Sequence, residues 1–369
     1  MMKILITGCD GYIGWPTFLK LCFSNKRLNI LGIDNFSRRK WVNEINSESK
    51  IRIFSMKQRL KELSKYKLKN KFNFKKIDLT NQKKIKNLLK NFKPNVILHL
   101  AAQPSAPYAN TSIKKCIFTT QNNNIGTLNL LWSLKELNFE KKVKFISTTT
   151  TGVYGAPDFP IPEGYLKIKK TELPISSMGG SWYHITKSND CNYFWLANRL
   201  WGISIYDFRT AITLGTSTIE TRKNKYFTNR FDDGFYFGVV ANRFVANSIK
   251  GKPILIYGKG EQKKPFIHLK DAVDSLYNSI NLKLNNKYNV YNQFSETVSI
   301  KDIAKIIKNL RNAVDKKIII KHIKNPRVEN ETHKMIMKNK NFLKVLKRKP
   351  FKVSEAIADT KTDLQNING

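Results

Sequence analysis

The feature that most restricts the fold is an alternation. Short strand-like runs at residues 3–7, 28–34, 72–78, 96–101, 143–148 and 204–208 are separated by longer stretches, at 12–23, 82–92, 125–137 and 183–201, read as helices. Ile85, Leu88 and Leu89, for example, fall on one face of their stretch. Strand and helix in that order are the pattern of a parallel sheet covered by helices, so the expected class is α/β, a doubly wound sheet of the Rossmann type. Such sheets bind ligands outside the carboxyl ends of their strands. Beyond about residue 214 the alternation loosens. Residues 1–214 are therefore read as a nucleotide-binding domain and 215–369 as a smaller substrate-binding domain over the ligand edge, with a segment near 262–295 returning to the first. The Lys-rich stretch between Trp41 and Lys71 reads as a helical excursion without chemistry of its own, and the last twenty residues as a frayed polar tail.

Charge tempts toward a different reading. The chain carries 66 Lys and Arg against 27 Asp and Glu, a formal excess of +39, and such an excess is ordinarily the footprint of a polyanionic partner. Only 13 of the basic residues are Arg, the side chain whose planar fork reads phosphates and bases. The 53 lysines stand beside many Asn and Ile, which marks a compositional drift over solvated faces, so no nucleic-acid partner is expected. Cys9, Cys22, Cys116 and Cys191 lie far apart with no Cys-x-x-Cys pair, predicting a reduced, cytoplasmic chain without a metal site. The opening MMKILITGCDGYIG is expected to be neither signal peptide nor anchor, and no later run approaches the ~18 apolar residues of a membrane span.

Gly8, Gly11 and Gly14 follow the first strand and open the first helix. A turn of that kind brings backbone N–H groups and the positive end of a helix to a pyrophosphate. Asp34, twenty residues after Gly14 at the end of the second strand, can accept both ribose hydroxyls of NAD and repels a 2′-phosphate. Arg38 and Arg39 lie just beyond and soften that preference. Asp78-Leu79 and Ala101-Ala102, past the third and fourth strands, fit an adenine pocket and a close cofactor wall.

Tyr183 and Lys187 stand at i and i+4 on one helix face. The Lys charge lowers the phenol pKa, making a phenolate accessible as a general base. Thr150, just past the fifth strand, can hold the substrate oxygen that the base deprotonates.

With these residues together the chain resembles the extended short-chain dehydrogenases/reductases of the NAD-dependent epimerase/dehydratase family. Further islands narrow the resemblance to the UDP-sulfoquinovose synthase branch: Asp10-Gly11-Tyr12-x-Gly14-Trp15, Asp34-Asn35-x-x-Arg38-Arg39, Gln103-x-Ser105-Ala106-Pro107-Tyr108, Glu163-Gly164-Tyr165, Tyr183-His184, Asn229-Arg230-x-Asp232, Asn242-Arg243-Phe244, Tyr257-Gly258-x-Gly260, Asn292-Gln293-Phe294 and Asn325-x-Arg327-x-Glu329. The resemblance implies NAD-dependent oxidation at C4 of a nucleoside-diphosphate hexose such as UDP-glucose, loss of water across C5 and C6, addition of a sulfite-derived sulfonate and return of hydride. Thr150, Tyr183 and Lys187 would be the catalytic set. NAD would contact Gly8, Asp10, Gly11, Tyr12, Ile13, Gly14, Asp34, Asn35, Arg38, Arg39, Asp78, Leu79, Ala101, Asn123, Tyr183 and Lys187. The nucleotide sugar would contact Gln103, Ser105, Thr150, Tyr183, His184, Arg230, Asn242, Arg243, Tyr257, Gln262 and Arg327, with Arg243 and Arg327 on its diphosphate. Enzymes of this fold commonly pair through helices, so a homodimer is expected.

Two departures bear on the chemistry. Nucleotide-sugar 4,6-dehydratases carry an Asp-Glu pair immediately after the catalytic Thr, and here those places hold Thr151 and Gly152, which disfavours that reaction. The sulfoquinovose branch has Glu and Arg where this chain has Ala102 and Pro104, and differs also at Val153 and at Arg209-Thr210-Ala211. The competing expectation is a 4-epimerase or 4-oxidoreductase without sulfonation.

Overall fold

The computed structural model describes residues 1–176, 179–310, 318–325 and 333–368. In chain order the first half runs β1 (Met2–Thr7), α1 (Gly14–Phe23), β2 (Leu28–Asp34), α2 (Ser37–Glu44), α3 (Met56–Leu63), β3 (Lys71–Lys76), α4 (Gln82–Phe92), β4 (Val96–His99), α5 (Ala106–Ala109), α6 (Ile113–Thr120), α7 (Gly126–Glu136) and β5 (Lys144–Thr150). The second half runs β6 (Tyr165–Ile168), β7 (Thr171–Pro174), α8 (Trp182–Trp201), β8 (Ser204–Thr210), β9 (Ile212–Leu214), α9 (Val240–Ile249), β10 (Ile254–Tyr257), β11 (Lys263–His268), α10 (Leu269–Ser279), β12 (Tyr288–Gln293), β13 (Glu296–Ser299), α11 (Ile300–Asn309), β14 (Ile320–Ile323), α12 (Lys340–Leu346) and α13 (Val353–Asn368).

Seven strands form one parallel sheet in the order β12-β8-β5-β4-β1-β2-β3. Its central strands are apolar on both faces because helices cover both: Ile4, Leu5 and Ile6 are wholly buried, and they divide between two core clusters. β1 pairs with β2 on one side and β4 on the other, so the connections diverge there and a crevice opens beyond Thr7 and His99. β12 comes from far along the chain and pairs with β8 from Tyr288–Ile205 to Gln293–Thr210. A second unit gathers β9, β11 and β13, the β10–β14 pair, α9, α11 and α13 around a third apolar cluster.

The stretch expected as a helix at 125–137 starts much earlier. Ser112 caps α6 by accepting from Lys115 N, and α6 continues through a π-helical turn at Gln121–Ile125 into α7. Asn122, Asn123 and Asn124 mask the helical pattern in the sequence. The tail expected to fray is α13, whose Val353, Ala356, Ile357 and Leu364 recur at helical spacing and are buried in the third cluster. Among the described residues no helix is long and apolar enough to cross a membrane.

Candidate active site

A cavity of about 1410 Å³ lies at the carboxyl ends of β1, β2, β4, β5 and β8, under the second unit. Its floor begins at the glycine turn. Gly8 has φ +72°, and a Cβ there would meet the Ala101 backbone at 2.7 Å. A Cβ on Gly14 would come within 2.0 Å of Gly8 O, so the turn is closed to larger residues. Gly8, Gly11, Tyr12, Ile13 and Gly14 all line the cavity, as do Asp34, Asn35, Arg38, Leu79 and Ala101. Asp34 accepts from Asp10 N at 2.9 Å and from Phe36 N at 2.7 Å, and burial, followed by the Asp10 charge, pushes its carboxyl up to about 6. A narrow glycine turn at a helix start with a carboxylate across the crevice fits the pyrophosphate and adenosine ribose of a dinucleotide.

Several expected cofactor contacts, and Gln103 among the expected sugar contacts, stand behind the wall instead. The Asp10 carboxylate is wholly buried and receives Arg39 Nε at 2.7 Å, Arg39 Nη2 at 2.8 Å and Arg59 Nη1 at 3.1 Å. Two cations hold it away from the cavity, and the same bonds commit Arg39. Arg59 belongs to the excursion read as chemically silent: it also donates to Thr228 O at 2.8 Å and lies 4.5 Å over the Trp15 ring. Asp78 is spent on Thr80 and on Asn35 Nδ2 at 2.9 Å. Gln103 is buried in its own loop, bonded to Ser105 and Thr119, while Asn123 from the π turn accepts Gln103 N at 2.7 Å and donates to Thr186 Oγ1 at 2.9 Å. These residues shape the wall from behind it. Arg230, expected on the sugar, lines the cavity within electrostatic reach of Asp34, Arg38 and Arg59, at the ribose end. Arg38 donates to Asp232 Oδ2 at 2.7 Å and stacks 3.6 Å over Phe237.

At the other end Thr150, Tyr183 and Lys187 line the same cavity, Thr150 from the end of β5 and the other two from the first turns of α8. Thr150 Oγ1 accepts from Gly152 N at 3.1 Å. Lys187 is paired with Asp190 Oδ2 at 2.9 Å. Burial pushes the Tyr183 phenol above its ordinary value, and Lys187 offsets only part of that shift. The expected net lowering is thus absent in the protein by itself, because desolvation outweighs one neighbouring cation.

His184 shares the wall with Ser181, which caps α8 by accepting from His184 N at 3.2 Å and bonds His184 Nδ1 at 2.9 Å. Burial, helped by Lys264, pushes the imidazole down to about 4, so it is neutral at neutral pH. Its ring fills the space beside Gly152, where a Cβ would stand 2.3 Å from both Nε2 and Cδ2. Ser105, Asn242, Arg243, Tyr257 and Gln262 also line the cavity, and Arg327 lies outside the described residues. The altered Val153 belongs to a small apolar cluster with Tyr154 and Ile161, and Arg209 is buried over Tyr154, bonded to Asp207 and Ile175 O. Arg59, Ser181, Asp190 and Lys264 escaped the sequence reading. Only Ser181, a capping residue three before His184, and Asp190, three after Lys187, carried a local signal. Among the described residues no His, Cys, Asp and Glu group could hold a metal ion.

Comparison with known proteins places this geometry in context. A family model described as GDP-mannose 4,6 dehydratase matches residues 5–166. UDP-sulfoquinovose synthase of Sulfolobus acidocaldarius is 33% identical over 338 residues, covering 90% of this chain and 84% of that protein. The chloroplastic UDP-sulfoquinovose synthase of Spinacia oleracea is 30% identical over 363 residues, covering 97% and 74%. Among solved structures, UDP-glucuronic acid 4-epimerase from Bacillus cereus with UDP-glucuronic acid and NAD superposes with a TM-score of 0.69 at 21% identity, covering 99% of this chain and 100% of that one.

Proposed function

Because the chain belongs to the NAD-dependent epimerase/dehydratase family of extended short-chain dehydrogenases, on its UDP-sulfoquinovose synthase branch, we propose that it oxidises C4 of a nucleoside-diphosphate hexose, UDP-glucose first among candidates, and carries the 4-keto sugar through C5/C6 elimination to sulfite addition. The cofactor is NAD, which when bound supplies a hydride acceptor and later returns the hydride. Gly8, Gly11, Gly14 and Asp34 hold it. Tyr183 Oη takes the proton of the C4 hydroxyl, Thr150 Oγ1 orients that oxygen, and the Lys187 charge favours the phenolate. Asn242, Arg243, Tyr257 and Gln262, with Arg327, bind the nucleotide diphosphate and sugar.

The observation that carries the elimination step is His184 over Gly152. A 4-keto group acidifies C5–H, so a neutral imidazole is base enough. The imidazole takes the C5 proton as C5=C6 forms, and delivers it to the C6 oxygen as the C6–O bond breaks and water leaves. Bisulfite then adds through sulfur at C6 as its own proton, exchanged with solvent, passes through the imidazole to C5. Pro104 and Ala102, in place of the branch's Arg and Glu, favour the second reading, a 4-epimerase or 4-oxidoreductase. Incubation with UDP-glucose, NAD and sulfite in deuterated water separates the two by mass spectrometry. A sulfonated sugar labelled at C5 is expected; an unlabelled C4 epimer with no sulfonated product would leave only the second reading.

Two copies pair through α6, α7 and α8, where Ile113, Ile117, Trp132, Leu196 and Leu200 are exposed apolar residues. Light scattering of a Leu200→Glu variant that stays dimeric would remove Leu200 from that contact. The cytoplasm is the proposed compartment, supported by four free thiols.

A further inference from the structure

Lys187 and Asp190 form an ion pair in which both side chains are almost wholly shielded, at 2.9 Å across one helical turn. A lone ammonium in such a place sheds its proton, because burial disfavours the charged form. The carboxylate is itself gripped from the neighbouring helix: Asn124 Nδ2, in the π turn, donates to Asp190 Oδ1 at 3.2 Å and to Thr186 O at 2.8 Å, and Thr127, which donates to Asn123 O at 3.1 Å, lies beside the same carboxylate. Thr127 Oγ1 lies 3.1 Å from His99 Nε2, and His99 Nδ1 lies 2.9 Å from Thr7 Oγ1, one residue before the glycine turn. A polar chain thus runs beneath the sheet's carboxyl ends from the cofactor turn to Lys187.

We propose that Asp190 is a positioning residue for the Tyr183–Lys187 pair: its carboxylate keeps Lys187 charged and fixed beside the phenol, and the π turn exists to hold that carboxylate. The titratable groups around the pair are Tyr183, Cys191 and Tyr193 from α8, His99 from β4 and Asp207 from β8. His99 is neutral, since burial and the Lys187 charge push it down to about 3. Asp207 is engaged by Thr149, Tyr288 and Arg209. Burial lowers the proton affinity of Lys187, and the groups around it, Asp190 first among them and then Tyr183 and Asp207, together more than restore it.

Asp190 acts on Tyr183 in two opposing ways, and their balance makes the proposal testable. Directly, its charge repels a phenolate; through Lys187, it preserves the cation that stabilises one. The proposal rests on Tyr183 being the base, but its test needs neither substrate nor NAD, so failure removes the role of Asp190 and leaves the nucleotide-sugar reading standing. Protein labelled with 3-fluorotyrosine, which brings phenol ionisation into an accessible pH range, is titrated by fluorine NMR, with the Tyr183 resonance assigned by its loss in Tyr183→Phe. In Asp190→Asn the Tyr183 transition moves up by about one pH unit or more, as in Lys187→Met, and Asp190→Glu returns it toward the wild-type position. An unchanged or lowered transition in Asp190→Asn overturns the proposal. If that variant does not fold, Asn124→Ala, which takes a donor from the Asp190 carboxylate and leaves Lys187 in place, is titrated instead. With the carboxylate less firmly held the Tyr183 transition moves up, and an unchanged or lowered transition there overturns the proposal.

Discussion

Replacing Arg59 by Met tests whether the excursion at residues 41–71 braces the cofactor turn. Met keeps the aliphatic volume against Trp15 but deletes the bond to Asp10 Oδ1 at 3.1 Å and the bond to Thr228 O at 2.8 Å. Asp10 is left as a buried carboxylate with Arg39 alone, and Arg39 is the more exposed of its two partners. Breaking a buried pair from one side costs about 3–5 kcal/mol, and the remaining Arg39 contact puts the expectation at about 3 kcal/mol. That is on the order of a hundredfold in the folding equilibrium. Urea denaturation followed by tryptophan fluorescence reads the change. Asp10→Asn/Arg59→Met, which removes both partners, should be less destabilised than the sum of its single variants by about 2 kcal/mol. NAD binding by calorimetry should weaken in Arg59→Met, since Asp10 N is the donor to Asp34 Oδ2. A loss under about 1 kcal/mol, or additive singles, would refute the bracing argument.

Other predictions concern the site. Tyr183→Phe lowers kcat for C4 oxidation by about 10²–10⁴-fold with intact NAD binding, checked by stopped-flow absorbance at the reduced nicotinamide band. Asp34 sits at about 6 and binds ribose hydroxyls best when ionised, so the NAD Kd should rise about tenfold between pH 8 and pH 5, a dependence lost in Asp34→Asn. The sign for stability is opposite: a carboxyl raised by burial favours the fold in its protonated form, and that contribution is lost as pH rises from the ordinary carboxylate range through about 6. Gly152→Ala destabilises by about 1–3 kcal/mol by displacing the His184 ring, whereas Gly152→Ala/His184→Ala recovers part of that loss in thermal unfolding.

What was legible in the sequence was whatever lay in short-range pattern. The central strands of the large sheet are apolar runs because both faces are covered, and Tyr183 and Lys187 are neighbours by helical geometry alone. The glycine turn was readable because steric closure between Gly8 and Gly14 leaves so few residues possible. Asp10 looked like a cofactor contact because its two arginines arrive from 29 and 49 residues away. Arg230 shares the cavity with Asp34 across so long a stretch of chain that no local pattern joins the two. α13 hid behind its polar majority, since six buried positions on one face decide a helix that composition calls a tail.

His184 and residue 152 compete for one volume, and this constrains how such a sequence changes. A larger side chain introduced at 152 meets the His184 ring, and losing the ring first leaves its volume empty. Substitution at 152 is therefore coupled to substitution at 184, each being better accommodated once the other has been made.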